Sequence, residues 1–130
     1  MQTVFTPNAP TPAGHYSQAV EHGGFVFVAG QLPLDPATGE LVGPGDVALQ
    51  TRQTLRNVAA ILEAAGSGLG RMVSVTVYIT RRDLWAEVNR VYAEMLGIHR
   101  PARAVVPSTE LRPGCLIEIQ AIAVAGQVDA

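Results

Sequence analysis

The sequence predicts an α+β fold in which a mixed β-sheet carries two helices on one face. Two segments have helical periodicity and at least five have strand patterns, in the order β-β-α-β-α-β-β. A mixed order with only two helices is typical of helices gathered on one side of a sheet. The length of 130 residues fits one domain, so we expect a single domain over residues 1–130.

The first third of the chain predicts a hairpin between two loops. Prolines within residues 7–12 disfavour a helix there, although a further short strand is expected at residues 3–6. Residues 16–20 and 25–29 have strand patterns on either side of paired glycines, which is typical of a hairpin. Residues 33–45 hold three prolines and three glycines and therefore predict a loop.

Two helices are expected, each with a capping residue and a terminal glycine. The first covers residues 46–65, with Asp46 as its N-cap and Gly66 at its end. The second begins at Asp83, its expected N-cap, and ends at Gly97. The apolar residues at helical spacing are Leu55, Val58, Ala59, Leu62 and Ala65 in the first helix, and Leu84, Val88, Val91, Tyr92, Met95 and Leu96 in the second.

Three further strands are expected at residues 72–80, 102–109 and 116–125, with a turn at residues 112–114. The helices can bury only one face of the sheet, yet the other face also carries apolar side chains. They are Leu116, Ile122 and Val124, together with either Phe25 and Phe27 or Val26 and Val28. We therefore expect a second copy of the chain to cover this face in a homo-oligomer.

Composition and charge disfavour several functional classes. Hydrophobic residues make up 48% of the chain and charged residues 15%, which argues against a disordered protein. A formal charge of −2 argues against nucleic-acid binding. The sequence has neither an apolar run of membrane-spanning length nor a secretory leader, so a cytosolic protein with no membrane partner is expected. Three histidines and one cysteine, all scattered, predict neither a metal site nor a disulfide framework.

Two charged residues lie within otherwise apolar strands. Strand alternation places Glu118 on the uncovered face, and strands joined by a turn would bring Arg103 into the same neighbourhood. One interpretation is a cross-strand ion pair, which is weak evidence for stability. The other is a site in which the guanidinium binds a substrate carboxylate and the glutamate orients or deprotonates water. The residues alone leave both interpretations open.

Other candidate residues have simpler structural interpretations. Tyr16 begins a strand, and a packing or surface role is more usual for such a tyrosine than contact with a ligand. Gly30 follows a buried strand as a turn residue, although a glycine also permits close approach of a substrate to the backbone. Trp85 is expected to pack, His15 to be solvated, and Cys115 to be unreactive because it has no cationic sequence neighbour.

Taken together, several short motifs give the chain a family resemblance. It resembles the RidA (YjgF-like) family of reactive intermediate imine/enamine deaminases over nearly its whole length. The motifs are Asn8-Ala9-Pro10, Gly14, residues 16–20, residues 30–33, Asp35-Pro36, Thr38-Gly39-Glu40, Asn57, Val88-Asn89, Tyr92, residues 101–104, residues 117–119 and Ala121.

The resemblance implies a chorismate-mutase-like fold and a homotrimer, in which the sheets line a central barrel and the sites lie in clefts between subunits. It also implies a 2-iminobutanoate/2-iminopropanoate deaminase-like hydrolase that uses neither cofactor nor metal. Such an enzyme converts 2-imino or enamine acids, of the 2-aminoacrylate/2-iminopropanoate type, to 2-keto acids and ammonia. These intermediates escape from pyridoxal-phosphate enzymes and damage them, so the implied role is detoxification.

The resemblance also assigns roles to individual residues. Arg103 matches the family arginine that binds the substrate carboxylate, and Glu118 matches the acid that positions the attacking water. Tyr16 and Gly30 match positions that line the substrate cleft.

Three positions depart from the best-known deaminases of this family. Ala29 and Val105, both substrate-cleft positions, replace a serine and a frequent cysteine, and His15 replaces a proline. The lost hydroxyl and thiol leave two alternatives open. One is a trimer that binds keto or imino acids without turnover, and the other is a deaminase for a larger catabolic enamine, which the smaller Ala29 would admit.

Overall fold

The computed structural model describes residues 1–126, which form one six-stranded sheet and two α-helices. The strands are β1 (Gln2–Val4), β2 (Ala19–His22), β3 (Phe25–Gln31), β4 (Met72–Ile79), β5 (Ala102–Pro107) and β6 (Ile117–Val124). The helices are α1 (Val47–Ala64) and α2 (Trp85–Leu96). The expected α+β class with a mixed sheet is therefore confirmed. Within the described residues, no helix has the length and apolarity needed to cross a membrane.

The strand order is β1-β2-β3-β6-β4-β5, with β4 and β5 parallel and every other pair antiparallel. The expected hairpin is confirmed as β2 and β3. The last two strands are consecutive in sequence but are not neighbours, because β6 enters the sheet between β3 and β4. Strand β5 consequently forms one edge of the sheet, and β4 separates it from β6.

The expected N-cap residue is observed in the first helix but not in the second. The Asp46 carboxylate accepts a hydrogen bond from the Leu49 amide at 3.1 Å, so its role as N-cap is confirmed. The expected cap at Asp83 is wrong, because a 3₁₀ turn (Arg82–Leu84) precedes α2 and Leu84 occupies the cap position without a side-chain bond. The carboxylate of Asp83 pairs instead with the guanidinium of Arg81.

The two faces of the sheet differ in what covers them. Helix α1 packs on β3 and β6, beside α2, and Val26 and Val28 are buried on this side. Phe25 and Phe27 lie on the other side and remain 41% and 45% exposed. They pair in register with Val124 and Ile122 of β6. The phenylalanines are therefore the pair that belongs to the uncovered face.

An irregularity in β4 changes the side to which one expected core residue points. The register of β4 against β6 shifts between Met72 and Ser74. Val73 is consequently 39% exposed, while Met72 takes the buried position. The remaining alternation of β4 follows the sequence pattern, because Val75, Val77 and Ile79 are buried.

Candidate functional site

The structure separates the two charged candidate residues instead of bringing them together. Arg103 is in register with Val75 of β4, whereas Glu118 is in register with Tyr78. Arg103 and Glu118 lie on the two strands that flank β4, and their positions differ by three residues along it. These offsets place their Cα atoms about 14 Å apart. An odd offset along a strand also reverses the face, so the two side chains leave opposite sides of the sheet. The expectation that Arg103 and Glu118 share a neighbourhood is therefore wrong within one chain. The interpretation of the two residues as a cross-strand ion pair is wrong for the same reason.

Glu118 lies in a cavity of about 270 Å³ on the uncovered side of the sheet. We call this the Glu118 pocket, and it is lined by Tyr16, Ala29, Gly30, Leu32 and Glu118. Four of the residues singled out from the sequence therefore meet here.

The backbone of Gly30 passes directly under the Glu118 carboxylate. A Cβ atom built at position 30 would lie 2.1 Å from Oε2 of Glu118 and 3.0 Å from its Cδ. The register of β3 against β6 also shifts between Val28 and Gln31, and Gly30 lies within this irregularity. A side chain at position 30 and the observed position of the carboxylate are therefore incompatible.

The surroundings of Glu118 disfavour its charged form. Its neighbours along β6, Ile117 and Ile119, are fully buried, and among residues 1–126 no cation lies within ion-pair distance of its carboxylate. Burial raises the pKa of the Glu118 carboxyl above its ordinary value. A carboxylate of this kind holds a proton more strongly than an exposed one, which favours its use as a general base.

A buried amide fixes the N-terminal loop beside the Glu118 pocket. Gln18 accepts a hydrogen bond from the Thr6 amide at 2.7 Å, and its Nε2 donates to the carbonyls of Thr6 and Pro10, both at 3.0 Å. The amide of Ala13 donates to the hydroxyl of Tyr16 at 3.3 Å. The loop that carries Tyr16 is thus held by neutral hydrogen bonds to main-chain groups.

Two more buried amides, both on α1, hold the other loops around this pocket. Asn57 donates from Nδ2 to the carbonyls of Leu32 and Leu34, at 3.0 and 2.9 Å. Gln50 bonds to the main-chain groups of Gly43, Gly114 and Leu116. Helix α1 therefore holds the segment after β3 and the segment before β6 in fixed positions.

Arg103 is held on the other side of the sheet by three side chains of α2. Its Nη1 donates to Oδ1 of Asn89 at 2.9 Å. Its Cζ lies 4.7 Å from the ring centroid of Tyr92 and 5.9 Å from that of Trp85. We call Trp85, Asn89, Tyr92 and Arg103 the Arg103 cluster. Asn89 is a neutral acceptor, so the guanidinium keeps its full charge and has N–H groups left for a ligand carboxylate.

The Arg103 cluster also borders a cavity of about 420 Å³ between α2 and β5. Val105, the remaining residue singled out from the sequence, lies two residues further along β5. It is half-buried, in register with Val77, and packs against the core.

The partners of Arg103 were not identified from the sequence, although a signal was present. Trp85, Asn89 and Tyr92 are four and then three residues apart, which places them on one side of a helix. Trp85 was expected only to pack, but it is 45% exposed and its ring lies beside the guanidinium.

Comparison with known proteins gives matches along almost the whole chain. The family model described as endoribonuclease L-PSP matches residues 6–125. A RutC family protein of Pyrococcus horikoshii is 52% identical over 122 residues, covering 94% of this chain and 96% of that protein. The 2-iminobutanoate/2-iminopropanoate deaminase of Escherichia coli is 43% identical over 126 residues, covering 95% and 97%. The crystal structure of a putative endoribonuclease from Thermotoga maritima matches with a TM-score of 0.92 and 46% identity, covering 98% and 99%.

Proposed function

The chain belongs to the endoribonuclease L-PSP family, which is the YjgF/RidA family, and on this premise we propose that it hydrolyses 2-imino and enamine acids to 2-keto acids and ammonia. The proposed substrates are of the 2-aminoacrylate/2-iminopropanoate type. The name of the Escherichia coli relative supports this activity. The observation that carries it is that the Asn89 side chain orients Arg103, while neither Arg103 nor Glu118 has a counter-ion within residues 1–126.

We further propose that the working enzyme is a homotrimer in which the Arg103 cluster of one chain faces the Glu118 pocket of the next. Within one chain the two groups leave opposite faces of the sheet, so one substrate cannot touch both. The uncovered face supports the same assembly, because exposed Phe25 and Phe27 provide an apolar surface for another copy. A cleft between copies would also remove the bound substrate from bulk water.

In the proposed reaction, Arg103 binds the substrate carboxylate and thereby fixes the imine carbon near Glu118 of the neighbouring chain. Glu118 takes a proton from a water molecule while the water oxygen bonds to the imine carbon and the π-electron pair moves to nitrogen. Glu118 returns this proton to the nitrogen, which gives a carbon that bears a hydroxyl and an amino group. Glu118 then takes the hydroxyl proton and passes it to the amino group. The carbon–nitrogen bond breaks with its electron pair leaving on ammonia, and the oxygen becomes the ketone oxygen of the 2-keto acid.

The charge distribution fits a small anion better than RNA, despite the description of the family model. The net charge of −2 argues against the broad basic surface that binds a phosphate backbone. Instead, Arg100 and Arg103 line one small cavity and Glu118 lines another. This distribution supports recognition of one carboxylate by one guanidinium.

A binding role without turnover is the second candidate. The observation that favours it is that Ala29 and Val105 bring no hydrogen-bonding side-chain atom to the substrate positions that the family resemblance assigns them. A substrate larger than 2-iminopropanoate is a third candidate, and the size of the cavity beside Arg103 favours it.

The test is to generate 2-iminopropanoate from alanine with an amino-acid oxidase and to follow its disappearance. We expect the wild-type chain to accelerate hydrolysis and Arg103→Ala to abolish the acceleration. Arg56→Ala is the matched control, because Arg56 is exposed on α1 and lines neither cavity. Equal rates with the wild type and Arg103→Ala would exclude the catalytic role, and calorimetric binding of a keto acid without turnover would favour the second candidate.

Light scattering tests the assembly, which should have three times the 13.7 kDa mass of one chain. A stable monomer would contradict the shared site. A cytosolic location and a role in removing reactive intermediates stay predictions.

A further inference from the structure

We propose that the cavity beside Arg103 holds a second negative group of the substrate, so that imines derived from dicarboxylic amino acids are preferred over those from alanine. This inference rests on the proposed function, because it assumes that Arg103 binds the first carboxylate. It adds a specificity-determining residue, Arg100, to the site.

The cavity has a cationic lining without a compensating acid. It occupies about 420 Å³ between the end of α2 and the start of β5, and no aspartate or glutamate contributes to its wall. The residues that line it are Asn89, Tyr92, Ala93, Leu96, Gly97, His99, Arg100, Pro101 and Arg103. A concave surface with charge of one sign concentrates the electrostatic potential and attracts ligands of opposite charge.

Both arginines of the cavity lack a carboxylate partner, unlike several arginines elsewhere. Arg52, Arg81 and Arg90 each form an ion pair on the surface. Among residues 1–126, neither Arg100 nor Arg103 has an acidic oxygen within 4.0 Å. Two guanidinium groups therefore remain in one cavity, one more than a single carboxylate needs.

One ring nitrogen of His99, the third basic side chain of the cavity, already has a partner. Nε2 of His99 lies 2.7 Å from the carbonyl oxygen of Met72, so this nitrogen donates to the main chain. Arg100 is thus the group that is free to bind a second anion.

The cavity wall suits the carbon chain between two carboxylates. Ala93, Leu96 and Pro101 provide an apolar surface in the same cavity as the two arginines. Water attacks the flat imine carbon from above or below its plane, whereas the side chain of the substrate lies within that plane. With its first carboxylate on Arg103, a substrate can therefore direct its side chain toward Arg100 and leave one face of the imine open to water.

The binding experiment uses calorimetry and two stable acids of equal chain length, 2-oxoglutarate and 2-oxopentanoate. We expect the wild-type protein to bind 2-oxoglutarate more tightly and Arg100→Gln to reduce the ratio of the two affinities by about three- to tenfold. Arg56→Gln removes one positive charge from the exposed side of α1 and should leave this ratio unchanged. Equal wild-type affinities, or equal effects of the two variants, would overturn the inference.

The kinetic experiment compares imines generated from glutamate and alanine by oxidases. We expect the wild-type ratio of kcat/KM to favour the glutamate-derived imine and Arg100→Gln to lower that ratio. The inference would be overturned if both imines were hydrolysed and Arg100→Gln left the ratio of their kcat/KM values unchanged. That result would leave the proposed function intact. Selective 2-oxoglutarate binding through Arg100 without hydrolysis of either imine would support the second-anion site and exclude the proposed function.

Discussion

The Arg103 cluster stabilises the charge of its central side chain, whereas the Glu118 pocket disfavours the charge of its carboxyl group. Around Arg103, an amide oxygen and aromatic rings stabilise the positive charge and orient it without neutralising it. Around Glu118, burial raises the pKa of the carboxyl and no cation among residues 1–126 offsets this effect. The difference matches two different tasks. A group that binds an anion must stay charged, whereas a group that moves a proton must bind that proton readily.

The largest effect is expected from a complementation experiment that asks whether the two regions act together. Arg103→Ala and Glu118→Gln should each lower kcat/KM at least about 100-fold, because each removes one essential group. When equal amounts of the two variants are unfolded and refolded together, each cleft has an intact arginine and an intact glutamate in about one case of four. We therefore expect recovery of about a quarter of the wild-type activity.

The same two variants folded separately and then mixed without subunit exchange are the control, and they should stay inactive. Failure of the co-refolded mixture to recover activity, despite formation of mixed oligomers, would show that the two regions do not share a site.

A single methyl group should disable the Glu118 pocket and leave the Arg103 cluster intact. In Gly30→Ala, the new Cβ would occupy space 2.1 Å from Oε2 of Glu118, so the carboxylate must move. A displacement of about 1 Å can cost about 100-fold in rate, and we expect a loss of this order in kcat. Gly70→Ala is the matched control, because a Cβ at Gly70 meets nothing within 4 Å. Wild-type kcat in Gly30→Ala would mean that the observed carboxylate position is not the active one.

Asn89 offers a smaller perturbation, confined to the Arg103 cluster. Asn89→Ala removes the acceptor that orients Arg103, and we expect KM to rise about tenfold with a smaller change in kcat. Asn89→Asp keeps the acceptor but adds a carboxylate that competes with the substrate for the guanidinium, so KM should rise further. Steady-state kinetics on both variants measures these changes in KM and kcat. A lower KM in Asn89→Asp than in Asn89→Ala would contradict a neutral positioning role.

The smallest effect concerns stability and its dependence on pH. Because the folded state raises the pKa of Glu118, it binds more protons than the unfolded state as pH increases above the ordinary glutamate value of about 4.3. The contribution of this group to stability is therefore lost as pH rises through the raised pKa. Glu118→Gln should increase Tm at neutral pH, and the gain should vanish below about pH 4.3. Glu110→Gln, at an exposed position, is the control for thermal melts across this range.

Local patterns predicted the elements of the fold better than their arrangement. Periodicity together with the Asp46 cap identified α1, since a helix boundary depends on residues close in sequence. The position of β6 between β3 and β4 depends on a long-range choice among strands with similar apolar patterns. Nothing in the turn at residues 112–114 indicates that the strands on either side are not neighbours.

The candidate site was predictable in its residues but not in its geometry. Tyr16 and Gly30 do lie beside Glu118, because the three positions share one region of the β3–β6 pairing and its adjoining loop. The partners of Arg103 come from α2. The sequence shows which residues share one face of that helix, but it does not show which strand this face packs against. Hydrogen bonds from buried amides to distant carbonyls cannot be inferred from residue type alone.

The buried amides of Gln18, Gln50 and Asn57 are positions at which one chemical change would loosen the loops that they hold. Each donates its NH₂ group to main-chain carbonyls, so the bonds do not titrate and salt hardly weakens them. Spontaneous deamidation would replace such a donor by an oxygen that faces another oxygen. One slow hydrolytic event in the interior would thus release a loop of the Glu118 pocket while both charged residues remained chemically intact.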